Sequence, residues 1–259
     1  MYSGLRELLS DRKGGRTFSC FGPWHIGYIV LFLSVAVLLL LWLKKRPDGV
    51  KGRAVRLWIN LAFGLYITDF FLMPFAYGEI DLEKLPFHVC TAMCVMCFVT
   101  YNSTFLQKYR SSFVLLGLIS NLVYLIYPAG VMWHQVHPLT YRVVQTLIFH
   151  GCMTVFGVLA LAYDRKENKP FRDLAVLIAM TLWAVLGNFL YNGEADGYSH
   201  VFNWFFVVQD PFGMVPEQIA PYIMPLVNIV VFFAVELLVS KIISKVKQIN
   251  QNGGKQNGI

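Results

Sequence analysis

Long apolar runs separated by short polar stretches set the pattern of this chain. The first run extends from about Trp24 to Leu43 and stops hard at Lys44-Lys45-Arg46-Pro47. Six more follow, over about Ala54–Pro74, Pro86–Leu106, Ser111–Tyr127, Leu139–Tyr163, Asp173–Tyr191 and Ile219–Ile243. Each approaches the roughly 20 apolar residues that carry a helix across a bilayer. The short alternating segments of a membrane β-barrel do not occur in this pattern. It predicts an all-α polytopic membrane protein, a bundle of seven transmembrane helices over residues 23–245. A polar arm (1–22) precedes the bundle, and a polar tail (246–259) that is expected to be disordered follows it.

Composition agrees. Of 259 residues, 56% are hydrophobic and 14% charged, against about 25% charged in a soluble domain. The net charge of +7 comes from short basic clusters between spans. That points to cytoplasmic loops rather than to a nucleic-acid partner. The loops after spans 1, 3 and 5 and the tail are basic, whereas those after spans 2, 4 and 6 are acidic or neutral. The positive-inside rule therefore puts the C-terminus in the cytoplasm and the N-terminus outside. Arg6, Arg12, Lys13 and Arg16 in the arm oppose this, but four concordant basic segments outweigh them. The first 19 residues are polar and the first apolar run is a full span, so no cleavable signal peptide is expected. A multi-pass protein of the cell membrane results, with membrane lipids as its expected partners.

Span 3 opens with Leu85-Pro86-Phe87-His88-Val89-Cys90, and the proline suits the first turn of a helix. Cys90, Cys94 and Cys97 then recur at i, i+4 and i+7 on one face. The five cysteines (20, 90, 94, 97, 152) form no disulfide framework, since four lie inside spans. His150 stands well inside span 5, where a polar group needs a partner or a cavity. With this topology, His25, Asp69, His88, Cys90, Gln145, Asn188 and Tyr191 all fall in the outer half of the bundle, and His150 lies just beneath. So many polar residues from five helices predict a polar cavity open to the outer leaflet. Its chemistry would be nucleophilic: Cys90 paired with His150, or with His88. Asn188 or Gln145 would orient the base or donate to an oxyanion. Acyl transfer through a thioester follows, with no cofactor required.

Other readings compete. Cys94-Val95-Met96-Cys97 has redox or metal spacing but lies deep in an apolar helix. His134 and His137, with His88 on the same side, could hold a metal, although loop histidines are more often simply solvated, and no metal is expected. Glu236 with Asn228 could mark an ion path. A transporter or small-molecule sensor using the same cavity is the alternative to an enzyme.

Four motifs together resemble the YwaF family of bacterial integral membrane proteins. They are His25 at the start of span 1, Leu85 to Cys90, Phe149-His150-Gly151, and Asn188 to Tyr191, with Asn203 and Pro211 following. That family is related to a eukaryotic transmembrane acyltransferase that remodels ether phospholipids. The resemblance implies acyl transfer between phospholipids, or lipid ester hydrolysis as in more distant relatives that use a Thr and a His. It also implies Cys90 as nucleophile and His150 as base.

Overall fold

The computed structural model describes residue 9 and residues 17–78, 82–133, 135–164, 169–195, 198–200, 202–211 and 213–256. Arg6, Arg12, Lys13, Arg16 and His134 lie outside the described residues. The apolar runs become helices: α1 (Pro23–Leu43), α2 (Asp48–Tyr77), α3 (Val89–Asn102), α4 (Arg110–Ile126), α5 (Tyr141–Tyr163), α6 (Pro170–Tyr191) and α7 (Ala220–Gln256). Among the described residues, six of these are long and apolar enough to cross a membrane, and α3 is a shorter apolar helix. The protein is a multi-pass helical membrane protein. Short additions punctuate the connections: a five-residue helix at Ala129–Trp133, and an antiparallel pair, β1 (Gly193–Ala195) with β2 (Tyr198–His200).

The chain forms two compact units, Met1–Lys166 and Glu167–Ile259. In the first, α5 is the central element, packed against α1, α2 and α4, while α3 packs on α2 and α4. In the most apolar stretch of α5, 83% of residues are buried, against 17% in α1. Large apolar side chains of α1 such as Val30, Leu38 and Leu41 remain exposed, as a lipid-facing helix requires. Glycines let α5 approach its neighbours closely. A Cβ at Gly151 would overlap the Phe32 ring of α1, and one at Gly157 would come within 2.7 Å of the Leu118 side chain of α4.

Each end of this unit is tied by polar contacts. At one end Arg110 bridges α4 to α3 and α5, through Thr100 O at 2.8 Å and Asp164 at 3.3 Å, and Tyr101 donates to Asp164 at 2.6 Å. At the other end Phe18 N–H donates to Val136 O at 2.8 Å over a small apolar cluster with Val131, Val143 and Leu147.

In the second unit α6 packs on α7, and the 3-10 turn Trp204–Phe206 rests on both. Asparagines fix this turn. Asn192 and Asn203 brace the backbone on either side of it, and Asn228 donates to Phe205 O at 2.6 Å. α7 runs on to Gln256, so most of the tail expected to be disordered is helical. Glu236 and Asn228 are both buried, and Asn228 is committed to the turn rather than to an ion path.

α3 departs most from expectation. The sequence pattern predicts a helix from about Pro86 to Leu106, whereas the observed helix has 14 residues, Val89 to Asn102. Pro86 lies in a turn rather than at the first helical position, and Phe87 N–H bonds Leu85 O at 2.7 Å. His88, with φ −72° and ψ 141°, caps the start. Ser103 ends the helix in extended backbone, with its hydroxyl on Val99 O at 2.8 Å. Short hydroxyl side chains compete in this way with the helical ladder.

Candidate functional site

Because α3 begins at Val89 rather than at Pro86, Cys90 is its second residue rather than its fifth. The first-turn N–H groups of a helix have no intrahelical partner, and its dipole favours negative charge there. The Lys84 ammonium is within electrostatic range of the Cys90 sulfur. A thiolate in so enclosed a place needs fixed positive potential to offset its lost hydration. Cys90 is a free thiol and half-buried, while Cys94 and Cys97 are fully buried below it.

His150 is buried in α5. Its Nδ1 lies 2.8 Å from Asn121 Oδ1, and its ring stacks on Tyr124 with centroids 3.8 Å apart and planes 15° apart. Asn121 and Tyr124 come from α4, three residues apart and so on one face. Neither was singled out from the sequence. The signal available was an Asn inside an otherwise apolar span, which is as costly there as the His itself. Tyr124 is also within electrostatic range of Cys90, and Lys84 is within range of both His88 and His150. Lys84 and Tyr124 therefore link the cysteine and the two histidines electrostatically at this end of the first unit.

Asp69 joins this group through Lys84. Its Oδ2 is 3.3 Å from Lys84 Nζ, and Tyr141 donates to its Oδ1 at 2.9 Å. Tyr66 donates to Lys84 O at 2.9 Å, fixing the loop that carries the ammonium. Gln145 donates to Leu65 O at 3.1 Å, so it ties α5 to α2.

Three expected members of the site have hydrogen-bond or ring partners of their own. Phe21 N–H donates to His25 Nδ1 at 2.9 Å, and His25 Nε2 bonds Leu125 O at 2.8 Å. Both ring nitrogens are thus committed to backbone. Asn188 donates through Nδ2 to Ala184 O and Trp204 O and accepts from Trp204 N–H. Both of its donor hydrogens are used, so it has none for an oxyanion. Tyr191 meets the Trp204 ring edge-on at 5.7 Å. Asn188 and Tyr191 belong to the second unit. His137 accepts from Leu139 N–H at 3.2 Å. Among the described residues no group of three His, Cys, Asp or Glu side chains is placed to hold a metal.

A helical membrane protein with this order of polar and apolar segments defines the class. The chain matches the TMEM164 family over residues 20–242, and it belongs to that family. No curated protein and no solved structure matches it.

Proposed function

We propose that this protein is a YwaF-like member of its family that transfers acyl groups between membrane lipids, or hydrolyses lipid esters, with Cys90 as nucleophile and His150 as base. The observation that carries this reading is the state of His150. Its Nδ1 is occupied by Asn121 while Nε2 is left as the reactive nitrogen, in a polar group that also holds a thiol at a helix start. His150 Nε2 takes the proton of Cys90 as the sulfur attacks the ester carbonyl carbon. The tetrahedral intermediate collapses to a thioester, and the leaving lysolipid oxygen receives the proton from His150. An acceptor hydroxyl, from a second lysolipid or from water, gives its proton to His150 and attacks the thioester, which restores the thiol. No cofactor enters this scheme. Lys84 and the first-turn N–H groups of α3 hold the negative charge that passes through sulfur and oxygen.

The protein crosses the cell membrane seven times in this reading, with α3 as the short crossing and the C-terminus in the cytoplasm. Half-burial of Cys90 against full burial of Cys94 favours Cys90 as the nucleophile. Incubation with an alkyne-tagged phospholipid tests it. The expected result is a hydroxylamine-labile adduct on wild type and on Cys94→Ala, lost in Cys90→Ala and lowered about 10²-fold or more in His150→Ala. An adduct that survives Cys90→Ala sinks the reading. Absence of any adduct on wild type, with lipid bound reversibly, would favour the transporter or sensor.

A further inference from the structure

Asn121 is a fully buried amide in the middle of an apolar helix. Its orientation can be derived. Nδ2 lies 2.8 Å from the Gly117 carbonyl. A carbonyl oxygen only accepts, so the NH2 end of the amide must point at it; the flipped amide would set two oxygens against each other. Oδ1 then faces His150 Nδ1 at 2.8 Å. That oxygen also only accepts, so Nδ1 must carry the hydrogen. A neutral imidazole has a single N–H, and Nε2 is therefore the lone-pair nitrogen. Tyr124, stacked on the ring, limits its rotation out of this bond.

We propose that Asn121 is the positioning residue of the site: its amide, anchored on Gly117, locks His150 in the Nδ1–H tautomer. Nucleophile, base and orienting amide then make a Cys-His-Asn set, whose members are recognised by geometry and role rather than by order in the chain. The orienting role that the sequence suggested for Asn188 or Gln145 falls to Asn121. The catalytic meaning rests on the reading of His150 as base, but the tautomer itself does not, and it can be read without any reaction.

Side-chain nitrogen NMR of the full-length protein, labelled with 15N-histidine in micelles, provides the test. The chain has six histidines, and the His150 signals are those lost in His150→Gln. Wild type should show His150 with hydrogen on Nδ1. His25 is the internal reference of opposite tautomer, since Phe21 N–H occupies its Nδ1 and leaves the hydrogen on Nε2. In Asn121→Leu the His150 signals should move to the Nε2–H pattern while those of His25 stay. Asn121→Asp should keep Nδ1–H. Lipid adduct formation should fall about 10²-fold in Asn121→Leu. Hydrogen on His150 Nε2 in wild type overturns the proposal, whatever the variants do. So does an unchanged His150 pattern in Asn121→Leu with His25 intact. Should the tautomer be as proposed but no adduct form on wild type, the locking amide stands and the enzymatic reading falls.

Discussion

The two oxygens of the Asp69 carboxylate are divided between a cation and a phenol, Lys84 and Tyr141. Asp69 is 2% exposed and Lys84 19%. Removing one partner of so enclosed a pair leaves the other charge uncompensated, which costs more than the pair contributes. Asp69→Ala should lower stability by about 3 kcal/mol. Asp69→Leu combined with Lys84→Met should cost distinctly less than either change alone. Thermal unfolding in detergent checks both, and additive losses would show that the pair does not couple. His150 and Asp69 were visible in the sequence because burial makes them expensive, and Cys90 because it follows a histidine at the opening of a span. Their partners were not. Asn121, Tyr124 and Lys84 take their meaning from which helix faces them, and beyond the oddity of an Asn in an apolar span a linear pattern does not carry that information. His25 shows the converse: a conspicuous residue whose two nitrogens simply hold backbone.

Helix ends were legible where charge or proline marks them. The start of α1 and the ends of α5 and α6 fall within a residue of expectation. They were less legible where turns compete with the ladder. Pro86 suits a helix start, yet the compact turn at Leu85–Phe87 takes it, and His88 becomes the cap. This moves Cys90 from the side of a helix to its first turn, which changes its electrostatics more than its position. The glycine of Phe149-His150-Gly151 also acquires a physical role. It admits the Phe32 ring to the face of α5 one residue from His150. Gly151→Ala should destabilise the helix pair by about 1–3 kcal/mol through overpacking. Adding Phe32→Ala should recover much of that loss. A thermal unfolding cycle on the four proteins measures the coupling, and a neutral Gly151→Ala would contradict the close approach.

Hydropathy alone established the multi-pass helical class, and the alternating charge of the connections suggests which side each faces. The arm with its four basic residues pulls the other way, so the orientation calls for measurement. In right-side-out vesicles with the protein in a Cys20→Ser, Cys90→Ala background, a thiol reagent that cannot cross the membrane should label Gln209→Cys and leave Lys45→Cys unlabelled. The reverse pattern would invert the molecule. The division into two units was not legible, because it depends on which helices pack and not on where they begin. One consequence follows from the brevity of α3. Fourteen residues span about 21 Å, whereas the hydrocarbon layer is about 30 Å thick. If α3 is a seventh crossing, as proposed, roughly 9 Å of that depth is crossed by turns rather than by helix. Such backbone is tolerated only where protein or water satisfies it. In the seven-crossing reading proposed above, this leaves a polar notch in the bilayer surface, with Cys90 at its floor. In that reading a phospholipid whose ester groups lie at the rim would reach the thiol by sinking slightly, its chains still in the leaflet.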